Sequence, residues 1–421
     1  MNVKNFLLST SVLVSMTLIL GAQEITQFRG PNAAGKYAET NLLKEWPANG
    51  PDLLWEAKGL GNGYGSPVFA NNRIYVNGEI DSLTYLFALD KTGNILWKSP
   101  IGEEWVTSYP GARSTPTIVD GLVYVSAGMG TVACFDANSG EQKWSRDMLK
   151  EFGAVNTRFG FAESIVNYGD KVFCTPGGPE MNVVALNRYT GEVEWVCGGK
   201  GEMPSFCTPL VLELPKRTLL LTFSKSHLMA IDIETGELLW THQQEGDGDV
   251  HVNTPLYENG YLYYVAGNGN GAVKLELSDD GNLIRQVWAN KRLDGLTGGF
   301  IKIDDHIYTS GYTKRMWYSI NTNTGEISDS LKFDNGITIF ADGKLYLYNE
   351  RGRVALCGVD NGTFQKTSEF KLSLGTKAHF SHPVIRKGIL YIRRGNSLMA
   401  YDIKRKDSSL ASNEEQYSIP K

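Results

Sequence analysis

The sequence predicts an all-β fold: an eight-bladed β-propeller of four-stranded blades, its ring closed by an N-terminal strand that completes the last blade. Three observations predict it. A phrase ending in tryptophan recurs along the chain, and a two-strand phrase precedes each copy. The final copy lacks its last strand, while an unpaired strand of the same kind stands near the N-terminus.

The first phrase is clearest at 230–240, AIDIETGELLW. It returns as ALDKTGNILW ending at Trp97, CFDANSGEQKW at Trp144, ALNRYTGEVEW at Trp195 and, stretched, LELSDDGNLIRQVW at Trp288. SINTNTGEISD at 319–329 keeps the turn and loses the tryptophan, and GVDNGTFQ at 358–365 is fainter still. Trp97, Trp144, Trp195, Trp240 and Trp288 follow one another at intervals of 45 to 51 residues, the length of one propeller blade. Residues before the turn alternate as a strand does. The Thr-Gly or similar pair then closes a hairpin, with glycine at a positive φ that a Cβ would oppose. Each tryptophan, one short strand later, is expected to fill the wedge between neighbouring sheets, a structural role.

The second phrase is two alternating apolar runs around a polar turn, hence a hairpin. It begins at Ser66, Ser114, Ser164, Cys207, Asn253, Gly299, Gly336 and Ser381, eight times in all. The eighth copy runs GNSLMAYDIK to Lys404 and then dissolves into RKDSSLASNEEQYSIPK. Its missing strand is PDLLWEAKG, 51–59, whose Trp55 precedes Trp97 by 42 residues and is expected to dock like the others. Closure of this kind removes the exposed sheet edges that invite aggregation.

The organisation that follows is a signal peptide at 1–22, a lead segment at 23–50, one propeller at 51–404 and a flexible tail at 405–421. Lys4 supplies a positive start, 6–20 is apolar apart from small hydroxyl residues, and Gly21-Ala22 offers small residues for cleavage. No cysteine follows the apolar stretch to accept a lipid, and no later segment is long and apolar enough for a transmembrane anchor. The expectation is a periplasmic or secreted protein. Net charge is −5 with both signs mixed throughout, so no phosphate-tracking basic block exists and nucleic acid is not an expected partner. Cys134, Cys174, Cys197, Cys207 and Cys357 match no zinc spacing and read as small buried thiols. Cys197–Cys207 and Cys174–Cys197 pairings stay open.

The motif at Ala230, Asp232, Thr235, Gly236 and Trp240 resembles the tryptophan-docking repeat of the quinoprotein-dehydrogenase-like, or PQQ-like, β-propellers. The resemblance spans about 51–404, and FRGPNAAG at 28–35 is similar to the lead of many secreted bacterial members. It implies the fold more than the chemistry. Members that use pyrroloquinoline quinone (PQQ) with Ca²⁺ carry a vicinal cysteine pair; no two cysteines are adjacent here. No cofactor and no metal site are therefore expected. Other members, such as the outer-membrane assembly lipoprotein, use the ring as a binding platform.

In a propeller, the residues just before each inner strand gather at the channel mouth. Those entries hold Tyr64, Trp105, Tyr109, Arg113, Arg158, Glu163, His251, Asn253, His379 and His382. Arg for bidentate contacts, His and Asn for orientation and aromatic faces for stacking together suit an anionic or polyhydroxylated ligand. Set against that is a wet channel lined by satisfied strand ends. No catalytic residue is identifiable. The leading expectation is a platform for a protein or saccharide-like partner. Behind it stand a PQQ-dependent alcohol or sugar dehydrogenase, then a channel-centred enzyme acting on a polysaccharide through His251, His379 or His382.

Overall fold

The computed structural model describes residues 24–406 apart from residue 245 and residues 247–249. The expected signal peptide and all of the tail beyond Lys406 lie outside the described residues. Eight sheets, each built on four antiparallel strands, follow in chain order. Their innermost strands are Val68–Ala70, Thr117–Val119, Val166–Tyr168, Leu210–Glu213, Leu256–Glu258, Phe300–Ile303, Gly336–Ala341 and Val384–Arg386, which define blades 1 to 8. Blade 8 is completed by Asp52–Ala57, which pairs antiparallel with Ser397–Asp402 and sets Trp55 opposite Ala400. The ring closes as the sequence predicts.

The register explains the tryptophan phrase. In blades 1, 2, 3 and 8 an aromatic on the second strand, a small residue on the third and the tryptophan on the fourth stand side by side. The rows are Tyr75–Ala88–Trp97, Tyr124–Cys134–Trp144, Phe173–Ala185–Trp195 and Tyr391–Ala400–Trp55. The small middle residue leaves room for the indole, which then lies over the turn glycine of the next blade. A Cβ on Gly191, at φ 71°, would meet Trp144 at 2.7 Å, and one on Gly236, at φ 77°, would meet Trp195 at the same distance. Glycine is needed twice over, for the dihedral and for the approach. The indole N–H groups of Trp144, Trp195, Trp240 and Trp288 donate to Arg188, Ile233, Gly281 and Thr322 carbonyls at 2.7–3.0 Å, stitching each blade to its successor.

Where the phrase loses its tryptophan, other residues take over. In blade 6 the position is Asp329, whose carboxylate accepts the Phe364 N–H of blade 7 while the Phe364 ring packs on Tyr308. In blade 7 it is Ser368, and the indole comes from the lead segment. Trp46 packs edge-on against Tyr346 and Phe370, its backbone N–H donates to the Ser368 hydroxyl, and its indole N–H donates to the Val354 carbonyl at 3.1 Å. The sequence reading sets 23–50 apart from the ring; this part of it is built into the ring.

The lead does more. Ile25 and Thr26 carbonyls accept from Phe69 and Ile118 on the inner strands of blades 1 and 2. The chain then crosses the axis, and Lys36–Tyr37 adds a parallel fifth strand to the inner edge of blade 7. Six hydrophobic clusters each lie between two successive blades. The seventh and largest joins blades 7, 8 and 1 and includes Ile25, Tyr37, Leu42 and Trp46 of the lead. All five cysteines are buried free thiols, so neither open pairing forms. Cys134 is the small residue beside Trp144. No helix among the described residues is long and apolar enough to cross a membrane.

Candidate functional site

Loops running from the outer strand of one blade to the inner strand of the next share a face with the turns between second and third strands. They enclose an axial cavity of about 450 Å³. Its floor is set by the lead segment, through Phe28 and Arg29. The Arg29 guanidinium donates to the Phe300 carbonyl of blade 6 and the Thr338 carbonyl of blade 7, both at 3.0 Å. It also lies 2.8 Å from His382 Nδ1 of blade 8 and donates to Ala33 of its own turn. No carboxylate is among these partners, and burial lowers its pKa to about 10. Gly35 and Gly299 stand so close that a Cβ on either would lie 2.3 Å from the guanidinium. Arg29 thus pins the lead across the channel by directed hydrogen bonds to three blades. Phe28 packs edge-on to His382, with ring centroids 5.0 Å apart, and forms the bottom of the cavity.

The walls are mainly aromatic and aliphatic. A chain of rings runs Tyr64–Phe380–Tyr109–Phe159–Phe206, with successive centroids 5.6 to 6.4 Å apart. Val250, Val252, Leu296, Tyr312 and Ile337 continue the lining. Tyr109 is 56% exposed and has φ 46°, a conformation unusual for a bulky side chain. Its loop is held by Arg113, which donates to the carbonyls of Ser108, Tyr109 and Gly111 at 2.8–2.9 Å and pairs with Glu104 at 3.1 Å. Glu104 in turn accepts from the Thr84 hydroxyl and the Gly128 N–H. Burial raises the Glu104 carboxyl and lowers the Arg113 guanidinium, each pulled back by the other.

Of the ten residues expected at the mouth, Tyr64, Tyr109, Arg113, Arg158, His379 and His382 line this cavity, and the other four do not. Trp105 stands behind Gly160 and donates to the Ser108 hydroxyl. Glu163 is 1% exposed and accepts the Thr175 N–H and hydroxyl, and burial pushes its carboxyl up to about 7. His251 is buried with Nε2 2.9 Å from the Lys225 carbonyl. Asn253 donates to Val265 and Gly295 carbonyls and accepts from Gly299 N–H. The cause is alternation in extended chain: Ala162 and Ser164 face the cavity while Glu163 faces the blade, and Val250 and Val252 face it while His251 does not.

Both lining histidines are held below their usual range. His379 Nδ1 is 2.6 Å from the Tyr348 hydroxyl, and burial with the Arg394 and Lys371 charges lowers its pKa to about 4. His382 is held well below its usual range by burial and by Arg29. The Arg158 guanidinium lies 4.8 Å above the Phe159 ring. A quinone with Ca²⁺ needs six to eight oxygen ligands. Among the described residues the wall offers one carboxylate, Glu350, and no group of three or more His, Cys, Asp or Glu is placed to hold a metal. The donor set does not fit that pair.

A family model, PQQ_2, described as outer membrane protein assembly factor BamB, matches residues 84–331. The outer membrane protein assembly factor BamB of Shewanella oneidensis is 25% identical over 308 residues, 68% of this chain and 73% of that protein. The quinoprotein ethanol dehydrogenase of Pseudomonas aeruginosa is 29% identical over 161 residues, 34% of this chain and 24% of that enzyme. A solved europium-containing methanol dehydrogenase superposes with a TM-score of 0.68 at 11% identity, covering 90% of this chain and 91% of that one. That last likeness is one of fold.

Proposed function

Because the chain belongs to the PQQ_2 family, described as outer membrane protein assembly factor BamB, we propose that it is an exported propeller that holds a partner polypeptide on its channel face. The observation that carries this reading is the aromatic cavity itself. It is open above, closed below by Phe28 and walled by rings from five loops. A recess of that kind takes a large apolar side chain and desolvates it, the arrangement typical of interface hot spots. Of the polar groups that line it, Arg113, His379 and His382 are committed to holding the walls. The signal-peptide form of 1–22 supports export to the periplasm or beyond. A saccharide-like ligand has less support, since it needs polar groups presented into the cavity. The quinoprotein dehydrogenase reading has less support, because the described residues of the cavity wall do not offer the ligand set of quinone and Ca²⁺.

A photo-cross-linking phenylalanine analogue at Phe380 tests the proposal in producing cells. It should trap a polypeptide, whereas the same analogue at Ile284, 56% exposed on the outer strand of blade 5, should trap none. Cross-links confined to position 284 would overturn it.

A further inference from the structure

The rim of the cavity is electrically one-sided. Around blades 6 to 8, the loops opening on the channel face are 291–299, 312–315, 332–335, 350–352 and 372–383. They carry seven Lys or Arg against three Asp or Glu, in a chain whose net charge is −5. All seven cationic residues are exposed, whereas Asp294, Asp334 and Glu350 are recessed. Asp334 is clasped between Arg315 and Arg351, and Arg315 also reaches Glu350 at 3.6 Å. The Asp334 and Glu350 side chains are each less than one-fifth exposed, while the Arg315 and Arg351 side chains are 48% and 68% exposed. The charge presented to solvent is therefore positive. Two further cations just outside these loops, Arg394 and Lys371, act on His379 in the cavity wall.

The aromatic recess and the cationic rim adjoin. Tyr312 lines the cavity and begins the turn that carries Lys314 and Arg315, and Phe380 and Lys377 share one loop. An apolar anchor and opposite charge beside it are what this surface complements.

We infer that the partner segment is an acidic peptide bearing one bulky aromatic side chain, the ring entering the cavity beside Tyr109 and Phe380 and the carboxylates lying along the rim of blades 6 to 8. This rests on the reading that the channel face holds a polypeptide. It adds the sign of the partner's charge and the nature of its anchor, and it places the two on one side of the axis.

Labelled peptides of about twelve residues test it by fluorescence anisotropy with the full exported chain. One is Asp/Glu/Ser-rich with a central Trp, one has Ala in place of that Trp, and one is Lys/Ser-rich with the Trp kept. The acidic Trp peptide should bind about tenfold or more tighter than either control and should weaken as salt rises. Lys314→Glu with Lys377→Glu, two exposed side chains, should weaken it about tenfold while leaving the circular dichroism spectrum and melting temperature unchanged. Phe380→Ala should abolish the preference for Trp over Ala. Equal binding of the basic Trp peptide, or indifference to the charge reversals, overturns the inference and leaves the channel-face reading standing. If no peptide responds to Phe380→Ala or Tyr109→Ala, both fall. Preference for anionic phospholipid vesicles over every peptide also overturns the inference.

Discussion

Trp46→Ala should destabilise the ring as severely as the loss of a repeat tryptophan, although Trp46 belongs to no repeat. The indole is 6% exposed and wedged edge-on between Tyr346 and Phe370, at centroid distances of 5.8 and 5.3 Å. Truncating a buried tryptophan to alanine costs about 3–5 kcal/mol. The Val354 carbonyl also loses its indole donor, adding about 1 kcal/mol. The expected loss is thus about 4–6 kcal/mol. Trp46→Phe, which keeps most ring contacts and forfeits the hydrogen bond, should cost about 1–2 kcal/mol. Urea unfolding followed by far-ultraviolet circular dichroism measures both without depending on tryptophan emission. Hydrogen exchange should also quicken in Arg353–Asp360 and Thr363–Lys371, the two outer strands of blade 7. If Trp46→Ala lies within about 1 kcal/mol of the parent, the lead does not supply blade 7 with its dock and the reasoning fails.

Gly191→Ala should cost more than an ordinary turn substitution, because it combines a positive φ with a Cβ 2.7 Å from Trp144; Gly121→Ala, at φ 77° with open space around it, isolates the dihedral part. Similar losses of stability in the two would show that the indole contact contributes nothing. Glu163 has its carboxyl raised from 4.5 to about 7 by burial, so its contribution to stability is fully present below about pH 4.5 and is lost as pH rises through 7. That span corresponds to about 3 kcal/mol; Glu163→Gln should flatten the decline between pH 5 and 8, and parallel stability–pH curves for the two proteins would refute it. Trp97→Phe should be milder than Trp144→Phe by about 1 kcal/mol, since the Trp97 indole nitrogen has no hydrogen-bond partner among the described residues whereas that of Trp144 donates to the Arg188 carbonyl. Equal melting temperatures for these two variants would count against the stitching role of the indole N–H.

Ring closure was legible because it repeats. Trp55 stands one blade-length ahead of Trp97, and the same local grammar of alternation, turn glycine and tryptophan marks both. The lead was not, because its partners lie 271 to 353 residues away and obey no period: Arg29 reaches Phe300, Thr338 and His382. Trp46 could have been suspected from blade 7 lacking a tryptophan, much as Trp55 was from blade 8. At the cavity, sequence position led to loops that line it but weighted their polar residues, and strand alternation turns Glu163, His251 and Asn253 inward to the blades. The apolar residues that make the cavity, Phe159, Phe206, Val250 and Phe380 among them, carry no pattern that sets them apart from core residues. The alternate residues flanking each buried polar one were the available signal.

A structure of the full chain with the acidic Trp peptide bound is the decisive measurement. The peptide indole should lie inside the cavity, in contact with Tyr109, Phe380 and Phe28. A peptide seated on an outer strand, with the cavity empty, would contradict it.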